Sequence, residues 1–252
     1  MIKKGLVLML FVSVALASPC VFGITPGDSL FFDGDNFINF PTKVKIVPAG
    51  STQLTAEAWI KPDTMGRTMI IAGQVSNLAG NEYFMVELYN NRIVFLLYPH
   101  GFVDRNGIDG STTAAVELTD QFHHVAAVWD GTNNFKIYLD GVEQEIAVRV
   151  LGSGVAGMGF DYTVGSLGFK IGLYPGHWAP RDYIFMGRMQ DVRIWSKALT
   201  QSEIVDTMNN HISNPPDELV GYWKFDDPVG AFEAVDSSKY HHDGSYCADM
   251  KR

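Results

Sequence analysis

The chain has 252 residues and a formal net charge of −9, with 46% hydrophobic and 12% aromatic residues. An acidic chain is a poor partner for nucleic acid or for an anionic membrane surface. Its length is enough for one large domain with a real core.

The chain opens "MIKKGLVLMLFVSVALASPCVFG". Lys3 and Lys4 precede an apolar run, Gly5 to Ala17, that is too short to span a membrane comfortably and is followed by small residues. This is the pattern of a secretory signal peptide, residues 1–23, with cleavage expected after Gly23. Cleavage near Ala17 or Ser18 is the rival, against which Pro19 stands close by. An uncleaved anchor is a further alternative, and Pro19 makes Cys20 a poor lipoprotein site. Because Lys3 and Lys4 leave with no acid, cleavage moves the charge from −9 to about −11. It also removes Cys20 and leaves Cys247 alone, so neither a disulfide framework nor a thiolate zinc site is expected. A Cys20–Cys247 bridge requires earlier cleavage. No second apolar run is long enough for a transmembrane helix, so no membrane insertion is expected after cleavage.

Short apolar alternations separated by turn signals then follow: "SLFFDG", "FINFP", "LTAEAWIKP", "MIIAGQV" and "YFMVELYNNRIVFLLY". In "LTAEAWIKP", Leu54, Ala56, Ala58 and Ile60 share one side, and Thr55, Glu57, Trp59 and Lys61 the other. Period-two patterning rich in Val, Ile, Phe and Tyr predicts half-buried strands. "YNNR" and "DGTNN" are turns, since Asn and Gly tolerate positive φ. The series closes with "FKIGLY", "GRMQDVRIW" and "ELVGYWKFD". One helix is predicted, in "ALTQSEIVDTMNNH", where Thr200 and Glu203 form a capping box and Ile204 and Met208 face inward. "SNPPDE", 213–218, reads as a linker. The tail beyond it is expected to supply the last strand pair of the same domain, because an isolated hairpin cannot bury its apolar face. The alternative is the first strand of a following repeat. The domain is thus expected over 24–246, with 219–246 a flanking strand and Asp-rich loop and 247–252 a tail.

The stretch "FHHVAAVWDGTNNFKIYLDG", Phe122 to Gly141, holds adjacent histidines. Successive strand residues point to opposite faces, so His123 and His124 cannot chelate one ion from a regular strand. A strand whose histidines hydrogen-bond locally, turned by "WDGTNN" into a returning strand, accounts for the stretch without chemistry.

These residues resemble the signature hairpin of the laminin-G-like, concanavalin A-like domains (the LamG/pentraxin group). "SLFFDGDNFINFP" resembles that family's opening strand pair, and "LTAEAWIKP" its Glu-Ala-Trp strand. "FMGRMQDVRIWSKALTQSEI" resembles its closing strand and short helix, and "LVGYWKFDD…AVDSSKYHHDGS" a flanking strand and loop seen beside such domains. Phe122 stands where the family usually has Trp, and Gln190 where an acid is common. The resemblance implies an all-β, two-sheet antiparallel jelly-roll β-sandwich (concanavalin A-like), with one short helix near the C-terminus.

In the resembling sandwiches the first strand, the last strand and the flanking loop lie together, which implies a structural Ca2+ held by Asp33, Asp191, Asp236 and Asp243, with Asp35 nearby. Calcium needs six to eight oxygens; the other reading is that these aspartates cap turns through Asx bonds. A sugar-binding set is expected in "LYPGHWAPRDY", from Tyr174, His177, Trp178 and Arg181, and in "YPHGFVDRNG", from Tyr98 and His100 with Asp104 and Arg105. Aromatic rings cover apolar sugar faces and the charged groups meet hydroxyls. The other reading is that Trp178 folds back onto the sheet. No E-x-D-x-x-E, G-x-S-x-G, H-E-x-x-H or phosphate-loop motif occurs, so catalysis is not expected. The resulting expectation is a secreted, non-catalytic module that binds a glycan or a glycosylated or surface protein through rim loops. The alternatives are a structural or adhesive module and a divergent polysaccharide hydrolase or lyase.

Overall fold

The computed structural model describes residues 29–42, 44–75, 82–100, 105–162, 168–174, 183–228 and 231–247. The expected leader (1–23) lies outside the described residues, as do Asp104, His177, Trp178 and Arg181. No helix among the described residues is long and apolar enough to cross a membrane.

The described residues form two antiparallel sheets and one helix. The smaller sheet has seven strands: β1 (Leu30–Asp33), β3 (Leu54–Pro62), β8 (His123–Trp129), β9 (Lys136–Leu139), β10 (Val142–Glu143), β13 (Met186–Trp195) and β14 (Leu219–Trp223). Its order is β1-β13-β3-β8-β9-β10, and β14 also pairs with β13. The larger sheet has nine strands, in the order β11-β7-β6-β5-β4-β12-β2-β16-β15. These are β2 (Phe37–Asn39), β4 (Met69–Val75), β5 (Glu82–Tyr89), β6 (Arg92–Leu97), β7 (Gly107–Thr112), β11 (Ile146–Leu151), β12 (Gly168–Ile171), β15 (Glu233–Ala234) and β16 (Gly244–Cys247). Neighbours in each sheet come from distant parts of the chain, as the expected all-β jelly-roll sandwich requires. The C-terminal segment serves both layers, since β14 joins the smaller sheet while β15 and β16 extend the larger one.

Turn chemistry sets the hairpins. Asn90 and Asn91 (φ 49° and 59°) join β5 to β6, and Asp140 and Gly141 (φ 51° and 75°) join β9 to β10. Two consecutive residues in the left-handed region match the twist of the flanking strands.

Inward side chains of both sheets make one core. Leu54, Ala56, Ala58 and Ile60 of β3 all lie in it, as their alternation predicts. Trp223 of β14 sits at its centre, 5.0 Å from the Phe40 ring and stacked at 5.3 Å on Phe169. Such rings contribute stability mainly by the apolar area they remove from water.

The helix α1 (Gln201–Asn209) begins at the expected capping box. The Thr200 hydroxyl accepts from the Glu203 amide, and the Glu203 carboxylate accepts from the Thr200 amide. Its buried residues are Ile204, Thr207 and Met208. They cover the outer face of the smaller sheet, where Ile204 packs in a second apolar cluster with Ala126, Val128, Tyr138, Trp195 and Tyr222. β3, β8 and β13 are consequently buried on both faces for most of their length rather than half-buried.

Candidate functional site

The two outer faces of the sandwich differ in chemistry. Beneath α1, the smaller sheet carries a closed ionic cluster. Arg193 of β13 and Glu57 of β3 are register partners, and both side chains are fully buried, with Nη1 and Oε1 3.7 Å apart. Arg193 donates to the Thr207 carbonyl (2.8 Å), Asp191 Oδ1 (3.0 Å) and the Tyr222 hydroxyl (3.1 Å). Glu57 accepts from Trp195 Nε1 (3.0 Å) and the Thr207 hydroxyl (3.1 Å). Burial pushes the Glu57 carboxyl up, but His124, Arg193 and Trp195 outweigh it and hold the group below the ordinary glutamate value. Trp59 Nε1 donates to the Met208 carbonyl at 3.1 Å, so two helix-end carbonyls find donors on the sheet. This face anchors the helix.

The two histidines separate as strand alternation requires. His123 lies between Asp140 (2.8 Å to Nδ1) and Asp120 (3.0 Å to Nε2), the local bonding expected of it. Burial lowers its pKa, but the two carboxylates outweigh this and hold it above the ordinary histidine value. His124 is fully buried on the opposite face, with Nε2 3.4 Å from Glu57 Oε2 and no hydrogen bond to either ring nitrogen. That contact is not a local bond, and nothing in the hairpin itself signals it.

The four aspartates expected around calcium do not converge. Asp33 ends β1 opposite Met186, and its Oδ1 accepts from the Asp35 amide in an Asx turn. Asp191 lies five residues beyond Met186 on β13, so roughly 17 Å separates it from Asp33 at about 3.3 Å per residue and one strand spacing. Asp191 sits at a bulge with φ 51°, and its Oδ1 is taken by Arg193 and by the Tyr222 hydroxyl at 2.5 Å. Asp236 and Asp243 do meet: the Asp236 amide donates to Asp243 Oδ1 at 2.8 Å. The Asp236 carboxylate already accepts from the Tyr222, Ser238 and His242 amides and the Ser238 hydroxyl, at 2.7–2.8 Å. Among the described residues no group of three or more His, Cys, Asp or Glu side chains could hold a metal ion. As placed, these residues do not fit a shared ion, because Asp33 and Asp191 stand apart and the Asp236 carboxylate is taken up by the protein's own donors.

The larger sheet presents the other outer face. Its registers place one row of side chains across eight strands: Arg149, Asp109, Leu96, Met85, Gly73, Lys170, Asn39 and Ser245. At one end Arg149 binds Asp109 with two bonds, 3.0 and 2.6 Å, and the Tyr98 hydroxyl donates to the same carboxylate at 3.3 Å. In the middle, Ile70, Val75 and Met85 form a separate apolar cluster against which Leu96, Tyr174 and Tyr183 pack. At the other end the Lys170 ammonium stands over the Phe37 ring, 4.7 Å from its centroid.

Two of the expected sugar-binding residues therefore reach this face. Tyr174 lies there partly exposed, its ring 6.2 Å from that of Tyr183, and these two tyrosines flank the segment that holds His177, Trp178 and Arg181. Tyr98 reaches it as a packing residue: its ring is 4% exposed and fills the space left by Gly107, where a Cβ would come within 2.2 Å of it. His100 is partly exposed in the turn after β6, and Arg105 is exposed at φ 58°. Sequence reasoning missed Phe37, Asn39, Lys170 and Ser245, which meet only through the lateral order of β12, β2 and β16.

A separate cleft of about 330 Å³ lies between α1 and the turn before β14, lined by Trp195, Glu203, Asp206, Pro216 and Glu218. Lys197, also in its wall, is paired with Glu203 at 2.5 Å, and the lining is acidic.

A family model described as the concanavalin A-like lectin/glucanases superfamily matches residues 32–205. Among solved structures, a candidate carbohydrate-binding protein from Bacteroides ovatus superposes with a TM-score of 0.64 at 21% identity, over 89% of this chain and 59% of that one. The binding domain of Paraclostridial Mosquitocidal Protein 1 superposes at 0.51, with 14% identity over 75% of this chain and 46% of that one. Domains LG4-5 of the mouse laminin α1 chain superpose at 0.50 with 14% identity, over 74% of this chain and 48% of that one. The chain thus spans less than two thirds of each of these structures, and at these identities the likeness is one of fold. A search of curated proteins finds no match.

Proposed function

The chain belongs to the concanavalin A-like lectin/glucanases superfamily, and from that premise we propose that it is an extracellular, non-catalytic module that binds glycans or glycosylated surfaces. The observation that carries this reading is the outer face of the larger sheet. There the partly exposed Tyr174–Tyr183 pair, packed on a buried apolar cluster, lies beside a polar end with Lys170, Asn39 and Ser245. Sugars present apolar C–H faces beside hydroxyl groups, and such a band answers both. The candidate carbohydrate-binding role of the Bacteroides ovatus protein, whose fold is similar, agrees with it. Export rests on the leader expected at residues 1–23.

We assign no reaction to this face. Glu233 of β15 closes the far end of the row, and two further acids, Glu87 on β5 and Asp109 on β7, stand two strands and two residues apart in register. That separation is roughly 11–12 Å, well beyond the carboxylate spacing of a retaining glycosidase. Asp109 is also held by Arg149.

The test is a glycan array probed with the wild-type chain and with Tyr174→Ala, Tyr183→Ala and Trp178→Ala. Loss of binding in these variants with an unchanged fold supports the assignment. Binding that persists in all three moves the site elsewhere, and an array on which the wild type binds nothing favours a structural or adhesive module.

A further inference from the structure

From the polar end of this face, and resting on the reading above, we propose that the ligand is an acidic glycan whose anionic group is received by Lys170. Lys170 is only partly exposed, and it carries its charge on the most recessed kind of position, a strand with neighbours on both sides. Its nitrogen stands over the Phe37 ring. No carboxylate among the described residues pairs with it, whereas the fully buried cation of the opposite sheet, Arg193, holds two. An ammonium that gives up water without gaining a counter-ion is costly to hold, and an arriving anion removes that cost. Burial accordingly pulls the Lys170 pKa down, and the nearby Cys247 only partly restores it.

The neighbours suit a carboxylate or sulfate carried on a sugar. Asn39 is the direct register partner of Lys170, and Ser245 is the partner of Asn39 across the next strand. Asn39 places a neutral hydrogen-bonding group beside the cation, at the roughly 5 Å spacing of cross-strand pairs, and Ser245 stands one strand further out, before the exposed Glu233. On the other side the partner is Gly73, where Met85 packs close enough that a Cβ would meet its side chain at 3.2 Å. The cation is thus bordered by apolar surface on one side and by amide and hydroxyl groups on the other. A sugar lying along the row can set its acidic group on Lys170 and its hydroxyls on Asn39.

Binding of four probes decides this: a neutral gluco-oligosaccharide, an oligogalacturonate, sialyllactose and a sulfated heparin hexasaccharide. The carboxylated and sulfated arms distinguish the two sources of anion. The wild type is expected to prefer at least one acidic probe. Lys170→Gln is expected to lose about tenfold or more of that affinity, the worth of one charge-assisted hydrogen bond, and Lys170→Arg to keep most of it. Asn39→Asp places a carboxylate opposite Lys170 and is expected to abolish the acidic preference with the lysine still present. Each variant is checked for an unchanged melting transition. Acidic and neutral probes bound equally, with Lys170→Gln without effect, overturn the proposal and leave the glycan-binding role standing. Failure of every probe to bind overturns both.

Discussion

Replacing Arg193 by Met is expected to destabilise the sandwich by about 3 kcal/mol. Removing one partner of a buried ion pair costs about 3–5 kcal/mol, because the other charge stays buried without compensation. Here Glu57 keeps Trp195 and Thr207 as donors and Asp191 keeps the Tyr222 hydroxyl, so the low end of that range applies. The Thr207 carbonyl at the helix end loses its donor as well. With a urea dependence of about 2.5 kcal/mol per molar, the unfolding midpoint should fall by about 1.2 M. Glu57→Gln and the double variant complete a cycle, in which a coupling of about 1–3 kcal/mol is expected for groups in one network. Equilibrium urea unfolding followed by tryptophan fluorescence measures all four proteins. A midpoint shift below about 0.3 M for Arg193→Met, with additive effects in the double variant, would show that the cluster contributes no more than an exposed pair.

The same cluster gives a pH dependence with a definite sign. The folded Glu57 pKa lies below the unfolded one, so its contribution is complete above about pH 4.3 and is lost as the pH falls through the folded value. Glu57→Gln should flatten the acid limb of a stability–pH profile. His123 has the opposite sign: its folded pKa is raised, so its contribution is complete below about pH 6.5 and is lost as the pH rises through the folded value. His123→Gln should remove that alkaline decline, as thermal melts from pH 5 to 9 will show. Thr200→Ala should cost about 1 kcal/mol through loss of the cap, read in the same urea assay. Asp236→Ala should destabilise strongly, whereas millimolar Ca2+ or EDTA should leave the wild-type melting temperature unchanged. A rise with Ca2+ that Asp236→Ala abolishes would restore the ion to that loop.

The strands were legible because their signals are local. The alternation in β3, the Asn-Asn and Asp-Gly turns and the capping box each lie within a few residues, and the structure realises all of them. The double burial of the smaller sheet was not legible, since nothing in "LTAEAWIKP" tells that Glu57 will lie beneath a helix begun more than 140 residues later. Asp33, Asp191, Asp236 and Asp243 sit in turn-rich sequence of a kind shared by ion ligands and Asx caps, and only three-dimensional placement tells the two apart. Asp191 and Arg193 share a face by alternation, but a bulge turns that face away from the side of Met189, which period-two reasoning on "GRMQDVRIW" does not foresee. The row from Arg149 to Ser245 is harder still. Alternation tells which way a residue points but not which strand will stand beside it, and β12, β2 and β16 come from opposite ends of the chain.

The division of the C-terminal segment between the two layers has a consequence for how the molecule is made. Trp223, fully enclosed in the core, lies on β14, which is synthesised after every other strand of the smaller sheet. Until then the nascent sandwich holds an open cleft between its layers and an unpaired border on each sheet, at β2 and along half of β13. Such borders are templates for mispairing. Productive closure therefore waits for residues 219–247 to leave the ribosome. Premature stops beyond residue 205 should yield insoluble chains rather than smaller working domains.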